Sequence, residues 1–419
     1  MRTKLQFLAI FLISISLIQA QGTTVNTSMG ANYSNQIFYK LSTATETSFV
    51  ANSWDIAFLR TSAFAFSLRV NDGVGTKVFE ASNSLGDWST IDVANEDSWT
   101  GLFNSEVGWD TGAFDNGSAS YGWGEYNVRN HHVEGSIIFV LKYADGSYIK
   151  FINEDFSSGY TFTYSKLDSA AATWGADQTA TISNTSNPDN TFNYYSLQND
   201  TEVLAETATA DWDLKFTKYD TDYFGDGSLF YNVTGVLHNT GVEIAKNDES
   251  TGVEVNPSLT YATDINTIGS DWKSYNFSAG TYDVSSTTIF YVKDVDETVY
   301  RLYFTSFAGN STGDLSFNFE DVTTNLGFED VSENFSFGIY PNPSIDKKVT
   351  LVYDVNKLTS SNNKVVIYAT TGKKVFEQKL TTNSGFYTKT LDVSNLENGI
   401  YILVFTSGTN SISKKIILK

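Results

Sequence analysis

The chain of 419 residues has no cysteine, four prolines, two methionines and three histidines. Without cysteine there are no disulfides, zinc–thiolate sites, iron–sulfur clusters, cysteine nucleophiles or thioether lipid anchors. Positive charge is also scarce: 27 Lys and Arg face 48 Asp and Glu, a formal net charge of −21. That excess repels phosphate backbones and anionic headgroups and argues against nucleic acid as a partner of the whole chain. Long helical periodicity is missing, and no G-x-S-x-G elbow occurs. Three histidines leave little choice of general base, and although a carboxylate pair among the 43 acidic residues before residue 337 stays open, a non-enzyme is expected. What it has in abundance is aromatic: 30 Phe, 24 Tyr and 8 Trp, 15% of the residues. Such a chain can bury a core, which argues against disorder.

Arg2 and Lys4 precede an apolar run at 5–18 that ends in Gln19-Ala20. This is the pattern of a secretory signal peptide over residues 1–20, with cleavage expected after Ala20. Fourteen apolar residues are too few to span about 30 Å of hydrocarbon as a helix. No later run reaches that length, so no transmembrane segment is expected in the mature chain.

Charge changes sign near residue 336. Residues 337–419 hold 11 Lys and no Arg against 5 acidic residues, net +6, whereas the rest of the chain is net −27. The segment opens on Ile339-Tyr340-Pro341-Asn342-Pro343, where each proline fixes φ and forces the residue before it to be extended. Strand-like runs follow at Val349–Val355, Lys364–Tyr368, Lys374–Leu380, Phe386–Val393, Tyr401–Thr406 and Ser411–Leu418, separated by turn residues such as Thr371-Gly372 and Glu397-Asn398-Gly399. An immunoglobulin-like β-sandwich is expected. The proline motif, the Thr-Gly-Lys turn, the Leu396-x-x-Gly399-x-Tyr401 strand entry and the lysine-rich last strand resemble the type A C-terminal sorting domain of type IX secretion cargo. The resemblance implies passage through the outer membrane by the type IX machinery, removal of the domain, and a protein secreted or attached to the outer cell surface.

The remainder repeats itself. Trp54-Asp55 and Phe58 match Trp212-Asp213 and Phe216, Trp123-x-x-Tyr126-Asn127 matches Trp272-x-x-Tyr275-Asn276, and residues 137–156 match 288–307. The order of the blocks is kept and the offsets drift only as loop insertions would shift them. Two copies are expected, at 21–176 and 190–322, joined by the polar stretch TISNTSNPDNTF. Residues 137–156 read as two strands around Ala144-Asp145-Gly146-Ser147, a hairpin turn, with Val295-Asp296-Glu297 at the same place in copy two. The fold class is therefore all-β: two tandem antiparallel β domains and a C-terminal immunoglobulin-like sandwich.

The Trp54-to-Phe58 strand, the W-x-x-Y-N block, Asp145-Gly146 with Tyr148-Ile149-Lys150, and the closing Gly159-to-Tyr164 strand are together similar to the HmuY-like haemophores. This resemblance implies an all-β surface protein that binds haem through axial side chains and passes it to an outer-membrane haem receptor. Haem iron takes imidazole, thioether, thiolate or phenolate ligands. The candidate ligands are His131 and His132, after the W-x-x-Y-N block, with Tyr121 or Tyr126 as phenolate alternatives. Copy two has Gly280 near the matching place and no histidine there, and His238 carries no ligand motif. The alternative is a carbohydrate-binding or adhesive surface protein that keeps the fold without haem, in which Trp88, Trp99, Trp109 or Trp123 either stack on sugar or pack in the core. Asp220-x-Asp222-x-x-x-Asp226-Gly227 has the composition of a calcium loop but lacks the twelfth-position Glu, so a solvated turn is expected.

Overall fold

Alternating apolar and polar residues become strands almost throughout. The computed structural model describes residues 22–62, 65–253, 257–323, 335–355, 363–381, 385–407 and 410–419; the leader and its expected cleavage site lie outside them. The chain divides into two compact units, Met1–Asn325 and Leu326–Lys419. The first unit begins with β1 (Thr23–Ser28), β2 (Asn35–Lys40) and β3 (Thr45–Val50). Next come β4 (Ile56–Leu59), β5 (Leu68–Val70), β6 (Lys77–Ser82), β7 (Thr100–Leu102), β8 (Gly124–Asn127), β9 (His132–Gly135), β10 (Ile138–Lys142), β11 (Tyr148–Phe156), β12 (Gly159–Asp168) and the short β13 (Thr173–Trp174). The series then restarts with β14 (Gln178–Ser183), β15 (Phe192–Ser196) and β16 (Thr201–Val203). It continues through β17 (Leu214–Asp222), β18 (Phe230–His238), β19 (Glu243–Asp248), β20 (Lys273–Asn276), β21 (Thr281–Val284), β22 (Thr288–Lys293), β23 (Val299–Phe307) and β24 (Asp314–Asp321).

The two copies are not laid end to end. One sandwich stacks the sheet β13-β12-β11-β10-β6-β7, with β14 on β12 and the β8–β9 hairpin on β11, against β16-β15-β4-β5. The other stacks β1-β24-β23-β22-β19 against β18-β17-β2-β3. The first three strands of each copy therefore close the sandwich of the other: β1 pairs with β24 and β2 with β17, just as β14 pairs with β12 and β15 with β4. This shifts the expected boundaries. Residues 23–50 belong to the core built by residues 214–321, and the stretch expected as a linker carries Ile182 and Phe192 into the burial of the first sandwich. A sheet must cover its apolar face with a second layer, and here neither copy closes that layer by itself.

The repeated Trp-Asp motif is the latch of this exchange. Asp55 N donates to Tyr195 O and Asp213 N to Tyr39 O, at 2.9 and 2.8 Å. The Asp55 carboxylate accepts from Gln198 N, and that of Asp213 from Leu41 N and Lys40 Nζ. Trp54 stands edge-on to Tyr194 at 4.9 Å and Trp212 edge-on to Phe38 at 5.1 Å. Asn71 and Asn239 complete the pattern, each donating through Nδ2 to two carbonyls, Ala51 and Trp54 in one case and Thr209 and Trp212 in the other. These hydrogen-bond partners lie at the ends of the exchanged strands β15 and β2 or just after them, in the opposite copy. Burial pushes both carboxyl groups up, so these hydrogen bonds are what compensates for their desolvation.

Between the two sandwiches, Trp109 donates to His238 O at 2.9 Å and Phe103 and Phe230 stack at 3.7 Å, while Arg69 holds the loop that carries Trp109 by donating to the Ser105, Gly108 and Thr111 carbonyls. The second unit is a sandwich of β25 (Phe335–Tyr340), β26 (Lys348–Val355) and β29 (Gly385–Asp392) against β28 (Lys374–Lys379), β27 (Asn363–Ala369), β30 (Gly399–Ser407) and β31 (Asn410–Leu418). Val349, Leu351, Ile367, Leu403, Phe405 and Ile416 fill its core. The proline motif ends β25, as the extended, donor-poor backbone of proline dictates.

Candidate functional site

His131 and His132 sit on the β8–β9 hairpin. His131 is exposed at its tip, and its Nδ1 lies 2.7 Å from Tyr126 Oη; His132 is half-buried with Nδ1 2.7 Å from Asp155 Oδ1. His131 has φ 66°, the left-handed region, and its N–H bonds Asn127 O at 2.9 Å. In the other sandwich Gly280, φ 68°, makes the same bond to Asn276 O at 2.8 Å. The position is thus a turn requirement that glycine meets without strain and histidine meets at some cost. Tyr121 and Tyr126 are both about two-fifths exposed on this side of the sandwich. His238 is buried between the sandwiches with its ring nitrogens on Asn239 O and Asp264 O, and burial lowers its pKa. The carboxylates of Asp222 and Asp226 cap the N–H groups of Gly227 and Ser228 within their own turn. Among the described residues no cluster of three His, Cys, Asp or Glu side chains is placed to hold a metal ion.

A cleft of about 840 Å³ lies elsewhere, on the outer face of the first sandwich's large sheet. In β11, Ile149 and Phe151 enter the core, so Lys150 between them stands on the opposite face. Over that face folds the connection from β6 to β7, two short 3-10 turns at Leu85–Thr90 and Val93–Ser98. Asp92 caps the second by accepting from Ala94 N. Glu96 fixes it to the sheet, accepting from Lys142 Nζ at 2.8 Å and Tyr148 Oη at 2.5 Å. Partial burial pushes the Glu96 carboxyl up, but those two donors outweigh it and hold it below the usual range. From the other side comes β13, whose Trp174 Nε1 donates to Ile91 O at 2.7 Å.

Trp88 and Trp174 thus face one another across Lys150. The ammonium is 4.2 Å from the Trp88 ring centre and 5.0 Å from that of Trp174, and it donates to Trp88 O at 2.7 Å. Trp88 Nε1 donates to both oxygens of Asp177, at 3.1 and 3.2 Å. Lys150 is only 2% exposed, and burial lowers its pKa. Tyr148, Asp92 and Asp177 complete the polar and aromatic lining. Aromatic faces, carboxylates and one ammonium around an open cleft are the groups that hold a polar ring by stacking and hydrogen bonds.

The tryptophans divide by environment. Trp123 is wholly buried and donates to Phe66 O, Trp109 is wedged between the sandwiches, and Trp99 packs against Phe79. Of the four weighed from the sequence, only Trp88 lines the cleft. Trp174, Lys150, Asp92 and Asp177 were not legible as site residues, because the cleft joins three separate segments of the chain, around Trp88, Lys150 and Trp174. The one local signal was a lysine inside the apolar run Tyr148-Ile149-Lys150-Phe151-Ile152.

Residues 338–419 match the family model for the secretion system C-terminal sorting domain. The second unit is a type IX sorting domain. The sorting domain directs secretion and delivery to the outer cell surface. Among curated proteins none matches the sequence. A solved chain described as "Biofilm associated protein - BSP domain" is 10% identical, with 95% of this chain and 81% of that one covered at a TM-score of 0.17. At that score the likeness carries no argument about fold or function. Among the described residues no helix is long and apolar enough to cross a membrane.

Proposed function

We propose that this is a non-enzymatic binding protein of the outer cell surface that holds a carbohydrate in the Trp88–Trp174 cleft, with the sorting domain as its means of export. The observation that carries the reading is the cleft itself: two indoles and Tyr148 held in place by Glu96, Asp177 and the Ile91 carbonyl, with Asp92 and Asp177 at the rim as acceptors for hydroxyl groups. Pre-set aromatic faces spare a ligand the entropy of ordering them. The second copy supplies β14–β16, which pair with β12 and β4 and close the first sandwich.

Haem, implied by the HmuY-like resemblance, is the second ligand to test. Nothing in the geometry of His131 or His132 favours it over the contacts they already make with Tyr126 and Asp155.

The test is a glycan array followed by calorimetry on the chain from Gln21 to Lys419, beside a Trp88→Ala, Trp174→Ala double variant. Truncating a central tryptophan commonly removes about 2 kcal/mol of binding energy, roughly thirtyfold in affinity, so glycan binding should be lost in the variant. An array with no bound glycan would refute the reading. Ferric haem titrated into the same protein should leave the Soret band unshifted.

A further inference from the structure

Lys150 has a counterpart in the second sandwich, and the two are treated in opposite ways. Arg301 occupies the matching place on β23, between Tyr300 and Leu302, which enter the second core. It is closed off by carboxylates: its guanidinium meets Glu249, which is almost wholly buried, and Glu320, and it lies over Tyr303. Tyr291 Oη donates to the same Glu249 at 2.8 Å. Lys150 is buried at least as deeply, yet no carboxylate among the described residues lies within ion-pairing distance of it. Asp177, whose charge only partly opposes the lowering of the Lys150 pKa by burial, is turned to the Trp88 indole instead.

A buried ammonium without a counter-ion costs several kcal/mol. It has three N–H donors, of which Trp88 O takes one. Lys273 shows how the fold satisfies such a group when it is purely structural: stacked over Trp272, it reaches two carbonyls, Thr234 and Ser270. Lys150 reaches one carbonyl, and its remaining capacity faces the cleft.

We propose that the anion missing from Lys150 is supplied by the ligand, so that the cleft selects a sugar bearing a carboxylate, a hexuronate, over its neutral analogues. This rests on the carbohydrate reading above. One cation flanked by two indole faces suits a single negative charge carried on a pyranose-sized ring. The rim carboxylates Asp92 and Asp177 do not cancel this preference. Both are exposed to solvent, where the high dielectric weakens their repulsion, whereas the Lys150 charge acts through low-dielectric surroundings.

The test measures binding of galacturonate, glucuronate and mannuronate oligosaccharides, and of their methyl esters, to the chain from Gln21 to Lys419 and to Lys150→Met. The best acid should bind the unsubstituted protein about tenfold more tightly than its ester or better, the gain of a charge-assisted contact, and Lys150→Met should bind acid and ester equally. Equal binding of acid and ester by the unsubstituted protein overturns the inference and leaves the carbohydrate reading standing. Binding of neither, together with an empty neutral array, removes both. The ester comparison needs no substitution and so holds even if Lys150→Met fails to fold.

Discussion

The two sandwiches of the first unit share strand order, exchanged strands and latch residues, yet they differ on the outer faces of their large sheets. Over the first, the β6–β7 connection and β13 raise two indoles around an ammonium that lacks a counter-ion. Over the second, Glu249 and Glu320 neutralise the matching guanidinium. The shared parts set the fold and the unshared parts set the chemistry. Duplication preserved what the exchange needs, the Trp-Asp latch and the buried Trp123 and Trp272, and left the outer faces free to diverge.

The latch offers the largest expected effect. Asp213→Ala removes a buried carboxylate that holds both Lys40 and the Leu41 N–H. Breaking such a pair costs about 3 kcal/mol or more. Asp55→Ala removes hydrogen bonds without an ion pair and should cost about 1–3 kcal/mol. Urea denaturation should show both variants losing stability in a single transition that includes both sandwiches, with Asp213→Ala the weaker. Two separated transitions would break the picture of interleaved copies.

Acid groups at the core of the first sandwich and at the junction predict a pH dependence of intermediate size. Burial pushes Asp72 up to about 6, and Asp115 and Glu206 up to about 7. Carboxyl groups whose folded pKa lies above the unfolded value of about 4 bind protons more readily in the folded state. Their contribution is complete below pH 4 and is lost as pH rises through 6 to 7. The melting temperature of the first unit should fall between pH 5 and pH 8, and Asp115→Asn should flatten that fall; a rise over the same interval would contradict it.

The smallest effect distinguishes the two β-hairpins. His131→Gly should stabilise the protein by up to about 1 kcal/mol, and Gly280→His should destabilise it by a similar amount, because only glycine adopts that φ freely. Thermal melts of the two variants measure the asymmetry. Equal and opposite shifts would show that His131 is held for its backbone position alone, and a stability loss in His131→Gly would show that its bond to Tyr126 matters more.

Much of the fold was readable along the chain. Six of the seven described tail strands were read to within about two residues, because that sandwich alternates cleanly and its turns carry glycine at the required positions, whereas β25, ahead of the proline motif, was not read as a strand. The repeat was legible from Trp54-Asp55 and Trp212-Asp213, and the turn at Ala144-Asp145-Gly146 from its glycine. Copy two makes the same turn with Glu297 at φ 63°, held in part by the Lys293 ion pair. The exchange was not legible. Val25, Ile37, Phe38 and Tyr39 announce that they are buried but not what buries them, and periodicity is the same whichever sheet a strand joins.

The sequence by itself determined the export signal at the C-terminus, the all-β class, the duplication and the exclusion of every cysteine-based chemistry. These follow from composition and local pattern, which need no knowledge of what lies nearby in space. Tertiary structure alone decided which copy each strand completes, that His131 is a turn residue, and that Trp88, Lys150 and Trp174 meet. Those facts depend on long-range packing of β6–β7, β11 and β13, and a contact between distant segments leaves no mark on either one alone.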